Sequence, residues 1–358
     1  MPEYAVMPKS DYQDACDAVR EKTGGETAIK SGQMGELIRG IQTGGGSFPN
    51  GTAWTQSNVA SNWFSRVFYD NGIWVAAGYG LYYSTDGKTW FQSNIRTQWF
   101  DRLHGANGVW VAGCTEEANG LYYSTDGKTW SRSNSVAKTF NVITYGNGLW
   151  VAHNSSDGLY YSTDGVNWTL SNMADGFAYD IHYANGLWVG VGNGGIWYSA
   201  DAKTWTQSKR SSETDYLFSV YNNGSVWVAC GYSGLWYSTD GKTWTQSNKT
   251  SGEFRCVRYA NGIWVAGSYG SGLLYSTDGM TWTPSNNDDG VFLFVCYANC
   301  VWVASDYEYG LAYSFDGKTW TYSNVTNKTG LGVHNANGIW VAGSGSGLWY
   351  SVTWERAT

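Results

Sequence analysis

A pattern close to Asn-Gly-x-Trp-Val-Ala recurs along the chain and puts tryptophan at 74, 110, 150, 188, 227, 264, 302 and 340. Successive copies lie 36, 40, 38, 39, 37, 38 and 38 residues apart. After each comes a run like Leu-Tyr-Tyr-Ser, then a turn like Thr-Asp-Gly-Lys-Thr-Trp, then a tail like Thr-x-Ser-Asn. A unit of this length cannot bury an apolar face alone, so the copies must stack on one another. Asn-Gly between alternating apolar runs supplies the positive φ of a tight hairpin. Each unit therefore reads as four strands: A before Asn-Gly, B at Trp-Val-Ala, C at Leu-Tyr-Tyr-Ser and D at Trp-Thr-Gln-Ser. Four short strands in each repeat predict all-β propeller blades around a central axis.

The ends of the array predict how the ring shuts. Seven units carry a full C–D turn, whereas the eighth runs GLWYSVTW over 347–354 and lacks it. Upstream, residues 52–58 read TAWTQSN, a strand D with no unit before it. Pairing that strand with the last unit completes an eight-bladed propeller and leaves no open sheet edge. Seven blades plus an irregular unit is the other arrangement the spacing allows. Of the 22 tryptophans, only Trp63 and Trp99 fall outside repeat positions, so the aromatic richness is chiefly packing between blades.

Charged residues are 14% of the chain and the formal net charge is −7, with no basic run, which argues against a nucleic-acid groove. No segment has the ~20 apolar residues of a membrane span. The first residues lack the apolar core of a signal peptide, so no export leader is expected. The six cysteines form no Cys-x-x-Cys pair and no metal site is expected; no cofactor is expected either. Cys296 and Cys300 flank a hairpin turn, where either a disulfide or free buried thiols can be accommodated.

The C–D turn reads Ser84-Thr85-Asp86-Gly87-Lys88-Thr89-Trp90 and recurs around Asp126, Asp164, Asp240, Asp278 and Asp316, with a looser copy around Asp201. This resembles the Asp-box hairpin of bacterial neuraminidase repeats, with glycine one place early. Aspartate accepts backbone N–H bonds across the turn, glycine takes the strained φ, and tryptophan plugs the sheet. In the families it resembles, the box is structural and lies away from catalysis. A sialidase would need an arginine cluster, a Tyr–Glu nucleophile and usually Arg-Ile-Pro. No Arg-Ile-Pro occurs here. Candidate arginines are Arg66, Arg102, Arg255 and Arg258, the first two at one repeat position. The carboxylates Glu116, Glu117, Glu253 and Glu308 show no spacing that demands a catalytic pair. The expectation is a protein without enzymatic activity.

Variation is uneven. A–B and C–D turns are nearly uniform, while the D–A and B–C connections differ in length and chemistry. Because strand direction alternates, these variable connections share one face. Loops on a rigid scaffold are where binding resides, and Tyr, Trp and short polar residues make adaptable recognition surfaces. The candidate ligand contacts are Trp63, Tyr79, Trp99, Glu116, Glu117, Asn154, Asp157, Tyr232, Tyr269, Asp306, Tyr307 and Tyr309. Unselected drift of unconstrained loops is the alternative account of the same variation.

Residues 1–43 differ from the repeats. Ser10 and Ser31 can cap two short amphipathic helices, the first bearing Tyr12, Ala15, Cys16 and Val19, the second Met34, Leu37, Ile38 and Ile41. A Gly-rich linker at 44–51 leads to the propeller at 52–358. So small a helical hairpin needs a partner. The stretch from Tyr12 to Gly24, with Ile29 to Met34, is similar to N-terminal segments of tail and baseplate-associated proteins in phages of Gram-positive gut bacteria. The resemblance implies a virion protein assembled in the bacterial cytoplasm. It would be a homo-oligomer, a trimer by preference, attached to the tail through 1–43 and facing a bacterial surface glycan or protein; a sialidase-like glycoside hydrolase and a structural virion or scaffold protein are the alternative readings.

Overall fold

In the computed structural model, which describes residues 49–353 except 117–118, 136, 155, 174–176, 209–215 and 326–331, eight antiparallel sheets of four strands form a ring. The expected helices at 1–43, most of the linker, and Glu117 lie outside the described residues. Strand A is innermost: Phe64–Asp70, Phe100–Ala106, Phe140–Gly146, Phe177–Ala184, Leu217–Asn222, Phe254–Ala260, Phe292–Ala298 and Val333–Ala336 in blades 1 to 8. Each strand A touches the next, and that of blade 8 meets that of blade 1.

The eighth blade is ordered Pro49–Gln56, Gly347–Thr353, Ile339–Ser344, Val333–Ala336, so the orphan strand closes the ring as its spacing predicts. The closing strand begins at Pro49 and takes the end of the expected linker into the sheet. It also restores half of the missing turn. Trp54 Nε1 donates to the Gly51 carbonyl at 2.9 Å, as Trp90 Nε1 does to Gly87 at 3.2 Å. Ser351, at the serine position of the missing turn, instead accepts the Trp340 N–H of the neighbouring strand at 3.0 Å.

Local chemistry explains the repeating elements. In the Asn71-Gly72 turn both residues have positive φ, 47° and 83°, which matches the right-handed twist of the strands it joins. In the C–D turn the Asp86 carboxylate accepts the N–H groups of Lys88 at 2.8 Å and Thr89 at 2.7 Å. Ser84 Oγ accepts from Gly87 N at 2.9 Å and donates to Asp86 Oδ1 at 2.9 Å. The same pair of carboxylate bonds recurs at Asp126, Asp164, Asp201, Asp240, Asp278 and Asp316. These bonds outweigh the partial desolvation of the carboxylate and hold Asp164 down at about 2.

Packing between blades follows the tryptophans. All eight strand-B indoles are buried, and each apolar cluster combines two neighbouring blades, as where Val75 and Leu81 of blade 1 meet Phe100, Leu103 and Trp110 of blade 2. A polar clamp accompanies them. The tail residue Asn94 donates Nδ2 to the Trp130 carbonyl at 2.9 Å and accepts the Trp130 N–H at 2.8 Å, so its amide imitates a backbone ladder across the blade boundary. Asn58, Asn172, Asn248 and Asn286 do the same to Trp90, Trp205, Trp282 and Trp320. Asn324 clamps Trp54 and so ties the ring closure. Cys296 is a free thiol, so it forms no bridge to Cys300.

Candidate binding face

The D–A and B–C connections emerge together, and among the described residues this face carries eight of the eleven exposed large apolar side chains: Trp63, Tyr79, Trp99, Tyr216, Tyr232, Tyr269, Tyr307 and Tyr309. They gather in three places.

At blades 1 and 2, Tyr79 forms an isolated bridge to Trp99, with ring centroids 5.2 Å apart, and its N–H reaches the Trp63 carbonyl at 3.3 Å. This close approach depends on Gly78, where a Cβ would lie 1.8 Å from the Trp63 carbonyl oxygen. Three residues proposed from sequence thus come together, and Trp99 is 41% exposed.

At blades 4 to 6 a larger platform surrounds Arg255. Its guanidinium lies 4.1 Å from the Phe218 ring centroid, 5.7 Å from Tyr232 and 5.9 Å from Tyr269, and it pairs with Glu253. Phe218 in turn packs on Tyr179 at 5.5 Å and Tyr232 at 5.0 Å. Cation–π contacts of this kind fix a side chain without sealing its edge from solvent. Tyr232 and Tyr269 were legible as loop tyrosines. Tyr179, Phe218 and the role of Arg255 were not, because they sit inside strand A. In seven blades strand A slips register, after its first paired residue in six and after its second in blade 4, leaving one extra residue: Ser65, Asp101, Asn141, Tyr179, Phe218, Arg255 and Leu293. A bulge re-aims the side chain it carries. The available signal was the position two before the buried aliphatic residue of strand A, where residue type changes from blade to blade.

At blade 7, Tyr307 and Tyr309 flank Glu308 in a three-residue loop, and Tyr309 packs on Tyr322 at 5.7 Å. Here the structure corrects two expected contacts. Asp306 and Asn154 are fully buried, at 0% exposure each, and cannot meet a ligand. Asp306 accepts the N–H groups of Glu308 at 2.8 Å and Tyr309 at 3.2 Å, and the Tyr322 hydroxyl at 2.7 Å. Asn154 accepts from Ser156 at 2.7 Å and Asp157 at 3.2 Å. Both occupy the last position of strand B, where Ser268 and Ser344 likewise accept from the following loop. A long B–C loop needs a side-chain acceptor at its root, which is the Asx- and Ser-turn chemistry of such residues. Burial and Asp306 together raise the Tyr322 phenol above its ordinary range.

Of the remaining candidates, Asp157 accepts the Tyr160 hydroxyl at 3.3 Å, and Glu116 is exposed, holding its own loop through Asn119 at 2.7 Å. The arginines divide: Arg255 belongs to this face, while Arg66, Arg102 and Arg258 belong to the central channel.

Eight blades, an innermost channel-lining strand and one loop-bearing face define the class: an eight-bladed β-propeller. Among solved structures it is similar to the computationally designed Ika8 protein (TM-score 0.68, 8% identity), over 83% of this chain and 98% of that one. It is also similar to Sqt1 of Saccharomyces cerevisiae (TM-score 0.63, 10% identity; 86% and 100% covered) and to YCF48 bound to D1 peptide (TM-score 0.55, 14% identity; 86% and 98% covered). At such identities the likeness is one of fold. No family model matches the chain, and no curated protein is significantly similar to it.

Proposed function

We propose that this chain is a non-enzymatic receptor-binding protein, an adhesin of a phage tail, that holds a bacterial surface glycan or protein on its variable-loop face. The C–D turns are read as Asp-boxes with a purely structural role. Residues 1–43 attach the propeller to the tail, as a homo-oligomer with a trimer preferred. The observation that carries the reading is the gathering of exposed Trp and Tyr on one face while the opposite turns stay uniform. Exposed aromatic clusters of this kind mark interaction sites. Several shallow platforms suit contacts that are individually weak and are multiplied by oligomerisation. The peptide-bound YCF48 structure is consistent with a propeller serving as a holder of partners.

The test is adsorption of labelled full-length protein to a panel of intact Gram-positive gut bacteria. Saturable binding to a few strains is expected, and Trp99→Ala with Tyr307→Ala should abolish it while leaving the melting temperature close to that of the parent. Unchanged adsorption by a folded double variant removes these loops from the reading. Absence of binding by the oligomer, with sugar release from a surface polysaccharide, replaces it with a hydrolase.

A further inference from the structure

Three guanidinium groups are held within the ring at the end of the channel nearest the variable face. Arg66 and Arg102 occupy one register position of strand A in blades 1 and 2, opposite Ala77 and Gly113. Arg258 stands two residues deeper on strand A of blade 6, opposite Val265. Aromatic residues frame them. Arg66 lies 5.9 Å from the Phe294 ring and Arg258 5.4 Å from Tyr221, while Phe68 stacks between His104 at 4.6 Å and His334 at 4.7 Å. In blade 8 the position matching Arg66 is Gly332, where a Cβ would come within 3.0 Å of Arg66 Cα. The missing side chain leaves room for Arg66 to lie across blade 8 toward blade 7.

Among the described residues no carboxylate lies within ion-pair distance of these cations, although Asp101 and Asp180 act on Arg66 and Arg102 at longer range. Arg66 donates to the Ser65 carbonyl at 3.2 Å, Arg102 to the Asp101 carbonyl at 2.9 Å and to that of Asn141, and Arg258 to Ser219 Oγ at 3.1 Å and the Val257 carbonyl at 2.7 Å. Every acceptor is neutral. Two carboxylates stand near: Asp101 is exposed to solvent beside Arg102, and Asp180 is engaged by Ser219 Oγ at 2.9 Å, Val220 N at 3.0 Å and Ile181 N at 3.0 Å. Burial holds His104, His182 and His334 at about 4, so they are neutral at pH 7. The layer therefore carries an excess of positive charge in a chain whose formal charge is −7. Burial, with Arg102 and Arg258 as like charges, pushes Arg66 down to about 9. Arg102 reaches the next blade through Asn141 and has a structural task. Among the described residues Arg66 hydrogen-bonds its neighbour's carbonyl and otherwise meets the Phe294 ring of blade 7, so its fork keeps unused N–H donors.

We propose that the mouth of the central channel binds an oxyanion, a carboxylate or phosphate group, between Arg66, Arg102 and Arg258. The planar guanidinium fork matches both groups bidentately, and the flanking rings can cover an organic body attached to the anion. The site is independent of the aromatic platforms, and its test needs no cell surface.

The experiment is calorimetric titration and melting of the full-length protein at fixed ionic strength. Inorganic phosphate and D-glucuronate are the probes, and uncharged glucose is the control. Saturable binding of either anion, and none of glucose, is expected. Glucuronate alone would identify an acidic sugar as the source of the anion, and phosphate alone a phosphoryl group. Arg66→Gln should weaken binding by about tenfold or more, the scale of a lost charge-assisted bond. It should also raise the melting temperature of the ligand-free protein, because it removes a buried like charge. Arg255→Gln, on the outer platform, should bind as the parent does. No binding of either anion at millimolar concentration overturns the proposal, as does binding that survives Arg66→Gln unchanged.

Discussion

Replacing Asn94 by alanine isolates the clamp that joins one blade to the next. The substitution removes two hydrogen bonds, at 2.9 and 2.8 Å, and leaves the Trp130 N–H and carbonyl without those partners in a partly buried seam. Each net bond is worth about 1 kcal/mol, and water can only partly replace it there, so the loss should be about 2–3 kcal/mol. At ~2.1 cal/mol/K per residue over roughly 300 ordered residues, the melting temperature should fall by about 3–5 °C. Asn134 supplies the control. It occupies the same place in the tail, but its side chain makes one long contact, 3.4 Å to Asn167 Oδ1, and its seam is held instead by a backbone bond from Asn134 N to Val166 at 2.8 Å. Asn134→Ala should therefore cost less than about 0.5 kcal/mol, the range of ordinary surface changes. Asn94→Asp keeps the acceptor for Trp130 N–H but puts a carboxylate against the Trp130 carbonyl, so it should fall at or beyond the alanine value. Urea unfolding of the full-length protein reads all three. Equal losses from Asn94→Ala and Asn134→Ala would refute the clamp, since the two share sequence position and differ in these bonds alone.

Three other outcomes follow from the same geometry. Asn324→Ala should speed amide deuterium exchange first in Pro49–Gln56, because Asn324 ties that closing strand through Trp54; uniform acceleration around the ring would argue against a local seam. His104, His182 and His334 have pKa values near 4, below their unfolded value of 6.5. The unfolded state then binds more protons between these limits, so their stabilisation is complete above pH 6.5 and is lost as pH falls toward 4. The slope is at most about 1.4 kcal/mol per pH unit for each histidine, and His334→Gln should flatten urea midpoints measured across that window by about a third. Asp306→Ala should cost about 1–3 kcal/mol by removing the acceptor of three part-buried donors, while Asp306→Asn, which can still accept from Glu308 and Tyr309, should recover most of it; equal effects would show that the loop does not depend on that acceptor.

The fold was readable because its instructions are local and repeated. Asn-Gly specifies a hairpin within two residues, and Ser-x-Asp-Gly closes a turn with bonds inside the motif. The paired absence of a turn at 347–354 and surplus strand at 52–58 encodes ring closure. The Asn clamp was present as the repeated Ser-Asn of the tail, yet its partner is a tryptophan about 34 residues further on, a distance at which pattern alone names no contact. Asn154 and Asp306 misled for a related reason. They lie in variable loops and are polar, as ligand contacts are, but the longer a B–C loop becomes, the more it needs an internal acceptor at its root. Polarity in a loop thus signals either an outward contact or an inward one, and only burial separates them.

The bulge in strand A is where the repeat stops dictating. The residue before it is buried and apolar, as Phe64, Phe100 and Phe254 are, and the next aliphatic, as Val67, Leu103 and Val257, fills the space between blades. The bulged residue between them has no ladder partner, so types as different as Asp101, Tyr179 and Arg255 occupy it, while Ser65 turns inward and donates to the Phe100 carbonyl. The residue after it is polar at Arg66, Arg102, Asp180 and Ser219, whereas Val142 and Cys256 at the same position are buried in the apolar seams between blades. The register slip therefore creates one variable position that supplies the outer platform, and beside it, in blades 1, 2, 4 and 5, a polar position that supplies the channel mouth. Recognition on this propeller can change at those positions while the tryptophans, turns and clamps that hold the ring remain as they are.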